Sequence, residues 1–129
     1  MTTVIDASVA VTASTEVDGW LALSGHQVVG PPLLWPEVRS VLHRATIVGG
    51  VVREVAERSR LFFEAAPIGE RNPKGLPSTV WELADALGWA KTYDAEYLAL
   101  ARLLGAPLLT LDSRMRRAAE RLGIETADV

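Results

Sequence analysis

The sequence predicts an α/β protein with a parallel β-sheet covered by helices on both faces. Short apolar or β-branched runs alternate with helical stretches, and the tight turns that join antiparallel hairpins are missing between them. Parallel strands need helical crossovers, which then cover the two faces of the sheet. The chain has 129 residues, 49% of them apolar, which is enough for one hydrophobic core. We therefore expect a single domain over residues 1–129.

Five extended segments are predicted: residues 3–6, 27–29, 66–68, 108–111 and a terminal piece near 124. The first is β-branched and ends in an acid, which is typical of a buried strand. The third contains Pro67, which lacks a backbone N–H and is therefore expected at a sheet edge. The fourth is the clearest strand of the chain.

Six helices are predicted, over residues 8–14, 33–47, 51–65, 78–90, 94–104 and 113–122, with a weaker helical stretch at 17–23. Apolar residues recur in them at helical spacing. Ser8 and Ser78 are predicted to cap the first and fourth helices, because a serine hydroxyl accepts a free N–H of the first turn. Gly105 is expected to end the fifth, which is apolar on most sides and should be buried.

The composition excludes several classes of protein. Without cysteine there is no disulfide scaffold, thiolate zinc site or cysteine nucleophile. No apolar stretch approaches the roughly 20 residues of a membrane span. The first residues lack the basic and apolar regions of a secretory signal. We expect a cytoplasmic protein without membrane attachment.

The charge distribution is compatible with nucleic-acid chemistry only if the two signs are segregated. The net charge is −3, which gives no general attraction to nucleic acid. Eleven of the thirteen basic residues are arginine, whose planar fork suits phosphate. Two groups of them cluster in sequence: Arg53, Arg58, Arg60; and Arg114, Arg116, Arg117, Arg121. Either group also fits an ordinary solvated helix face.

Four acids stand at positions where a parallel sheet would gather them. Asp6 and Asp112 end predicted strands, whereas Glu37 and Asp94 begin predicted helices. Helix capping alone would explain an acid at a helix start. Asp6 fits that explanation least, because it follows apolar strand residues and Ser8 is available as the cap.

Together the four acids indicate a metal site. Strand ends and the starts of the following helices share one edge of a parallel sheet. Two carboxylates ~4 Å apart repel by about 4 kcal/mol at an effective dielectric of 20, so a cluster needs protons or a cation. Oxygen ligands favour magnesium or manganese, which also bind phosphate oxygens. The residues thus predict metal-assisted hydrolysis of a phosphodiester.

Four segments resemble the sequence motifs of PIN domains: residues 5–8 (IDAS), 36–38 (PEV), 93–101 (YDAEYLALA) and 109–114 (LTLDSR). The resemblance runs end to end, in order and at the usual spacings, and the third motif is highly specific. In its length and in the residues of these motifs, the chain is most similar to the VapC toxins of bacterial toxin–antitoxin pairs.

The resemblance implies a parallel sheet in the order 3-2-1-4-5 with the acids at its C-terminal edge. It implies that Asp6 and Asp94 are the principal ligands of Mg²⁺, for which Mn²⁺ can substitute, and that Glu37 and Asp112 complete the site. Ser8 and Thr110 would orient these groups. Some family members carry a further acid after the fourth motif, where this chain has arginines, so the number of metal ions stays open.

The implied function is a magnesium-dependent endoribonuclease that acts as a toxin. Its substrate would be RNA, such as a transfer RNA or a ribosomal RNA loop. Its partners would be a cognate VapB-type antitoxin and a second copy of the chain, with Trp81 and Trp89 as candidate interface or core residues. His26 and His43 lack partners at ligand spacing, which argues against zinc or a catalytic dyad.

Three alternatives remain at this point. A DNA-directed nuclease of related architecture would use the same acids. A receiver-type signalling domain also gathers acids at strand ends, but it needs a lysine where Asp112 stands. A non-catalytic binding module is the third, although all four acids are present.

Overall fold

The computed structural model describes residues 1–128. In this part of the chain a parallel sheet contains strands β1 (Thr2–Ile5), β2 (Gln27–Gly30), β3 (Gly69–Glu70) and β4 (Leu108–Leu109). The helices are α1 (Ala7–Thr15), α2 (Leu34–Ile47), α3 (Arg53–Glu64), α4 (Leu76–Leu87), α5 (Ala95–Leu104) and α6 (Ser113–Arg121), and a 3-10 helix spans Gly19–Leu23. None of these helices is long and apolar enough to cross a membrane.

The strands lie in the order β3-β2-β1-β4, and every pairing between them is parallel. Val4 of the central strand is in register with Val29 on one side and with Leu108 on the other. The predicted α/β class, the parallel sheet and the order of the first four strands are confirmed.

The predicted fifth strand is wrong as a strand. The terminal segment makes one isolated parallel bridge, between Leu108 and Thr126. Leu108 donates its N–H to the Glu125 carbonyl and accepts the N–H of Ala127, both at 2.9 Å. Because β4 has only two residues, it offers no longer edge for pairing. The segment lies beside β4, as the predicted order 3-2-1-4-5 requires, but it pairs with β4 through a single bridge.

Two further elements differ from the prediction for local reasons. Residues 66–68 form a tight turn, in which the Ile68 N–H donates to the Ala66 carbonyl at 2.8 Å, so the edge strand starts only at Gly69. The stretch at 17–23 is a 3-10 helix that begins after Asp18, whose φ is +59°. Its first residue, Gly19, packs so closely on Ala13 that a Cβ would lie 2.2 Å from the Ala13 carbonyl oxygen.

The two predicted serine caps are also wrong. Asp6 rather than Ser8 caps α1. Helix α4 begins at Leu76, so Ser78 lies inside the first turn, where its hydroxyl donates to the Gly75 carbonyl at 3.2 Å. The same helix ends at Leu87 because Gly88 adopts a left-handed φ of +68°.

One hydrophobic core joins the sheet to its helices. The apolar side chains of β1, β2 and β4 are buried, and α5 is buried on nearly every side, as its sequence predicts. Helices α1, α2 and α3 pack on one another, whereas α4 packs on α5. This packing fixes the carboxyl ends of β1 and β4 side by side and places the starts of α2 and α5 next to them.

Candidate active site

Asp6 lies at the carboxyl end of β1, where the chain enters α1. Its carboxylate accepts the N–H of Val9 at 3.2 Å, so it is the N-cap of that helix. The side chain is only 4% exposed, a degree of burial that is unusual for an aspartate. Asp6 therefore combines an ordinary capping role with a buried carboxylate beside the central strand.

Two hydroxyl groups hold the Asp6 carboxylate. Ser8 donates its Oγ–H to one oxygen at 2.5 Å, and Thr110 donates to the other. Each hydroxyl oxygen also accepts a backbone N–H from the segment after β4, Ser8 from Leu111 at 3.1 Å and Thr110 from Asp112 at 3.0 Å. These bonds tie the end of β1 to the end of β4 and fix where Asp6 stands relative to Asp112.

Glu37 is half-buried in the first turn of α2 and is held by Tyr97 of α5. The buried Tyr97 hydroxyl donates to Glu37 Oε1 at 2.6 Å. Burial and the neighbouring Glu37 carboxylate raise the pKa of the Tyr97 hydroxyl, so it stays protonated and acts as a donor. The bond links two helices that approach the sheet edge from different parts of the chain.

Asp94 stands immediately before α5, but it does not cap that helix. Its backbone is already helical, with φ −66° and ψ −28°, and its side chain makes no capping bond. It pairs instead with Arg114, whose Nη1 lies 3.2 Å from Asp94 Oδ2. The guanidinium also lies over the Trp89 ring, 4.2 Å from its centroid. Arg114 is thus held between an anion and an aromatic face.

Asp112 is an exposed N-cap at the start of α6. Its Oδ1 accepts the N–H of Arg114 at 2.8 Å. The capping explanation therefore accounts fully for this bond. Its second oxygen makes no hydrogen bond among the described residues, so Asp112 caps the helix and still offers one oxygen to the cleft.

All four predicted acids line one open cleft of about 440 Å³ at the C-terminal edge of the sheet. Ser8 and Tyr97 line it as well, whereas Thr110 lies buried behind Asp6. His26 and His43 lie elsewhere; the first contacts Thr3 and the second is on the surface of α2. The fold thus brings the four predicted acids to one cleft.

The electrostatics of the cleft oppose ionisation of its buried acids. Burial raises the pKa of the Asp6 carboxyl; the Ser8, Thr110 and Val9 donors partly offset this, and the nearby Asp112 charge adds to it. Burial also raises the pKa of Glu37, with Tyr97 lowering it and the charges of Asp94 and Asp6 raising it further. A cation in the cleft would favour the ionised forms of both.

The donor set suits a hydrated magnesium or manganese ion. It consists of carboxylate oxygens, the ligands that hard divalent ions prefer. Within residues 1–128 no three His, Cys, Asp or Glu side chains are placed to hold an ion together. Mg²⁺ commonly binds proteins through one or two carboxylates and keeps several waters, and the open cleft has room for these. One or two carboxylates of this cleft, together with bound water, fit that mode of binding.

Three residues of the site were not identified as site residues from the sequence. Tyr97 stands one turn after Asp94, a spacing that places both near the start of α5. The sequence indicates Arg114 only as one of a cluster of arginines suited to phosphate, in a stretch where some family members carry an acid, and Trp89 only as a core or interface residue. The cation–π contact between these two depends on the loop before α5 and could not be inferred from spacing.

The chain is similar to known proteins in sequence pattern and in fold. Residues 3–121 match the family model of the PIN domain. PAE2754 from Pyrobaculum aerophilum is a similar solved structure, with a TM-score of 0.71 and 21% identity over 92% of this chain and 79% of that one. VapBC-1 from nontypeable Haemophilus influenzae is another, with a TM-score of 0.60 and 14% identity over 99% and 98%. At 21% and 14% sequence identity, the similarity to these two structures shows the fold alone. No match was found among curated protein sequences.

Proposed function

The chain belongs to the PIN-domain family, whose members are generally nucleases, and we propose that it is a magnesium-dependent endoribonuclease. The observation that carries the proposal is the convergence of Asp6, Glu37, Asp94 and Asp112 on one open cleft. A divalent ion held by these carboxylates would suit the hydrolysis of a phosphodiester, because it binds phosphate oxygens and stabilises their charge. RNA is the proposed substrate, and a DNA-directed metal nuclease is the alternative.

The proposed ligands of the ion are Asp6 and Asp94, with Glu37 and Asp112 acting directly or through water. When bound, Mg²⁺ supplies positive charge for the scissile phosphate and makes a bound water more acidic. The protein's own part is positioning. Ser8 and Thr110 fix both oxygens of Asp6.

Two other contacts complete this positioning. Tyr97 fixes Glu37 through a bond of 2.6 Å, so this carboxylate cannot rotate away from the cleft without breaking it. The Asp94–Arg114 pair, by contrast, is exposed on both sides, with 40% and 54% of the side chains accessible. Ion pairs this exposed contribute little, about 0–1 kcal/mol, so a divalent ion can displace Arg114 from Asp94.

A comparison of RNA and DNA tests the substrate class. We expect purified protein to cut single-stranded RNA in magnesium and to leave DNA of the same sequence intact. The measurement is gel analysis of both end-labelled strands over time. Equal cutting of the two strands would favour the alternative, and cutting of DNA alone would contradict the proposal.

A toxin role with a cognate VapB-type antitoxin is proposed from the family and from the likeness to VapBC-1. The chain offers an apolar groove of about 870 Å³ between the end of α1, the 3-10 helix, the start of β2 and the end of α3. Val17, Leu21 and Phe62 line it and are 92%, 66% and 50% exposed. Exposed apolar residues gathered in one groove are typical of a binding surface for an apolar helix.

Co-expression with the small gene adjacent to this one tests the antitoxin proposal. We expect the pair to co-purify and RNA cleavage to be suppressed, because an antitoxin arginine can neutralise the carboxylates in place of the ion. Leu21→Glu should prevent co-purification while the free protein still cuts RNA. The control is Val48→Glu, at a position 67% exposed outside the groove. A pair that neither co-purifies nor loses activity contradicts the toxin assignment.

A homodimer in the cytoplasm is also proposed. Trp81 on α4 is 71% exposed, and aromatic residues are enriched where subunits meet. Trp89 is partly buried against the core and stacks with Arg114, so it belongs to the site region and not to this surface.

A further inference from the structure

A second cleft adjoins the acidic cleft, which is the one lined by Asp6, Glu37, Asp94 and Asp112, and the two clefts share two lining residues. It has a volume of about 430 Å³ and is lined by Glu37, Trp89, Ala90, Lys91, Tyr93, Asp94 and Arg114. Glu37 and Asp94 belong to both clefts, so a ligand in the second cleft lies directly beside the acids. We call it the aromatic cleft, after Trp89 and Tyr93.

The loop between α4 and α5 supplies five of these residues. Gly88 ends α4, and the Trp89 N–H then donates to the Ala84 carbonyl at 2.9 Å. At the other end the Glu96 N–H donates to the Tyr93 carbonyl at 3.1 Å. The loop is therefore anchored at both ends, and it carries Lys91 between its two aromatic residues.

The aromatic cleft combines two aromatic rings with two cations, and on the side that it shares with the acids it also carries two carboxylates. Tyr93 is 59% exposed, which leaves its ring available to a ligand. Lys91 and Arg114 supply two cations in the same space. A nucleotide unit of a nucleic-acid strand has the matching features, namely a base that stacks on an aromatic ring and a phosphate that binds cations.

Arg114 connects this cleft to the metal site. Arg114 pairs with Asp94 and also lies over the Trp89 ring. An ion held by Asp94 would take over this carboxylate, and the guanidinium could then donate two hydrogen bonds to a phosphate while it keeps its contact with Trp89. In the absence of the ion, the same arginine partly neutralises Asp94.

We propose that the aromatic cleft binds the RNA nucleotide adjacent to the scissile phosphate, with the base against both the Trp89 and Tyr93 rings and the phosphate on Arg114 and Lys91. This inference rests on the proposed function and names the substrate contacts of the same site. It makes these four residues determinants of RNA affinity, distinct from the acids, which determine cleavage.

The test measures binding of a short fluorescein-labelled single-stranded RNA by anisotropy. Titrations are done in Ca²⁺, and the integrity of the probe is checked on a gel. Trp89→Leu and Tyr93→Leu should each weaken binding about tenfold, since they remove a stacking face. Trp89→Tyr and Tyr93→Phe keep a flat ring and should bind nearly as the wild type does.

The arginine is tested by salt dependence. Arg114→Gln should reduce the slope of log Kd against log salt by about 0.7, the value for one phosphate contact on a single strand. Arg117→Gln is the matched control, because Arg117 is exposed on the same helix and lines neither cleft. Tyr93 and Arg114 are both exposed, so their variants report on the cleft even where Trp89→Leu is too unstable to measure.

The outcomes separate this inference from the proposed function. If the wild type cuts RNA but Trp89→Leu, Tyr93→Leu and Arg114→Gln leave RNA affinity and salt slope unchanged, the proposed role of the aromatic cleft is overturned. The proposed nuclease activity is then unaffected. Loss of antitoxin binding in those variants, with RNA affinity unchanged, would assign the cleft to the protein partner instead. A wild type that neither binds nor cuts RNA would overturn both.

Discussion

Asp6→Asn is expected to abolish RNA cleavage while leaving the protein folded. Asparagine is as good an N-cap as aspartate, so α1 should keep its start. The substitution removes the charge that the ion requires and leaves the shape of the side chain. Changing a group that only orients a ligand costs about 10–100-fold, so losing a principal ligand should cost at least about 100-fold. Initial rates on labelled RNA in saturating magnesium measure the loss.

Two comparisons make this result specific. Thr110→Val removes the hydroxyl that orients Asp6 and should lower the rate by about 10–100-fold without abolishing it. Asp85→Asn changes an exposed acid on α4 outside the cleft and should leave the rate unchanged. An Asp6→Asn protein that cuts RNA at the wild-type rate would mean that Asp6 only caps α1.

Magnesium is expected to raise the melting temperature of the wild type by about 10 °C. An ion at a hundred times its Kd stabilises the folded state by about 2.7 kcal/mol, and a domain of this length unfolds with an entropy near 0.27 kcal/mol/K. The gain arises because the ion binds carboxylates that the fold brings together. Thermal melts in magnesium and in EDTA measure it.

The same melts distinguish a metal site from helix capping in Asp6→Asn. The pKa of Asp6 is raised in the folded protein, so its ionisation destabilises the fold as the pH rises through that raised value. At neutral pH the variant should therefore melt higher than the wild type in EDTA and show no magnesium response. Capping alone predicts little change in either buffer. Asp85→Asn is the control and should keep the wild-type response.

Asp94 behaves differently from what its position in the sequence suggests. Four converging acids predict mutual repulsion at each of them, but Arg114 compensates Asp94 directly. Asp94→Asn should thus change the metal-free melting temperature little, while still losing the magnesium response and the cleavage. Arg114 of α6 pairs with Asp94 and not with Asp6, so we expect neutralisation of these two aspartates to change the metal-free melting temperature differently.

The sequence was sufficient for the parallel sheet and for the convergence of the acids. Asp6 and Asp112 follow adjacent parallel strands, and that topology alone brings them to one edge. It was insufficient where an outcome depended on side-chain packing. The Tyr97–Glu37 bond joins residues 60 positions apart, and no local pattern encodes such a contact.

Two of the errors have different local causes. Asp6 and Ser8 are both residue types that cap helices, but Asp6 accepts the Val9 N–H, whereas the Ser8 hydroxyl donates to Asp6 and accepts the N–H of Leu111. The predicted terminal strand is wrong because β4 has only two residues with which it could pair. The apolar run 108–111 does not reveal that β4 is this short.

Chelation followed by metal add-back on the wild-type protein tests the central claim most directly. The claim is that the four acids form a metal-dependent site for RNA hydrolysis. We expect cleavage of single-stranded RNA to stop in excess EDTA and to return fully when excess magnesium or manganese is added. Undiminished cleavage in excess EDTA would contradict the account, because carboxylates without an ion have no means of stabilising charge on a phosphate.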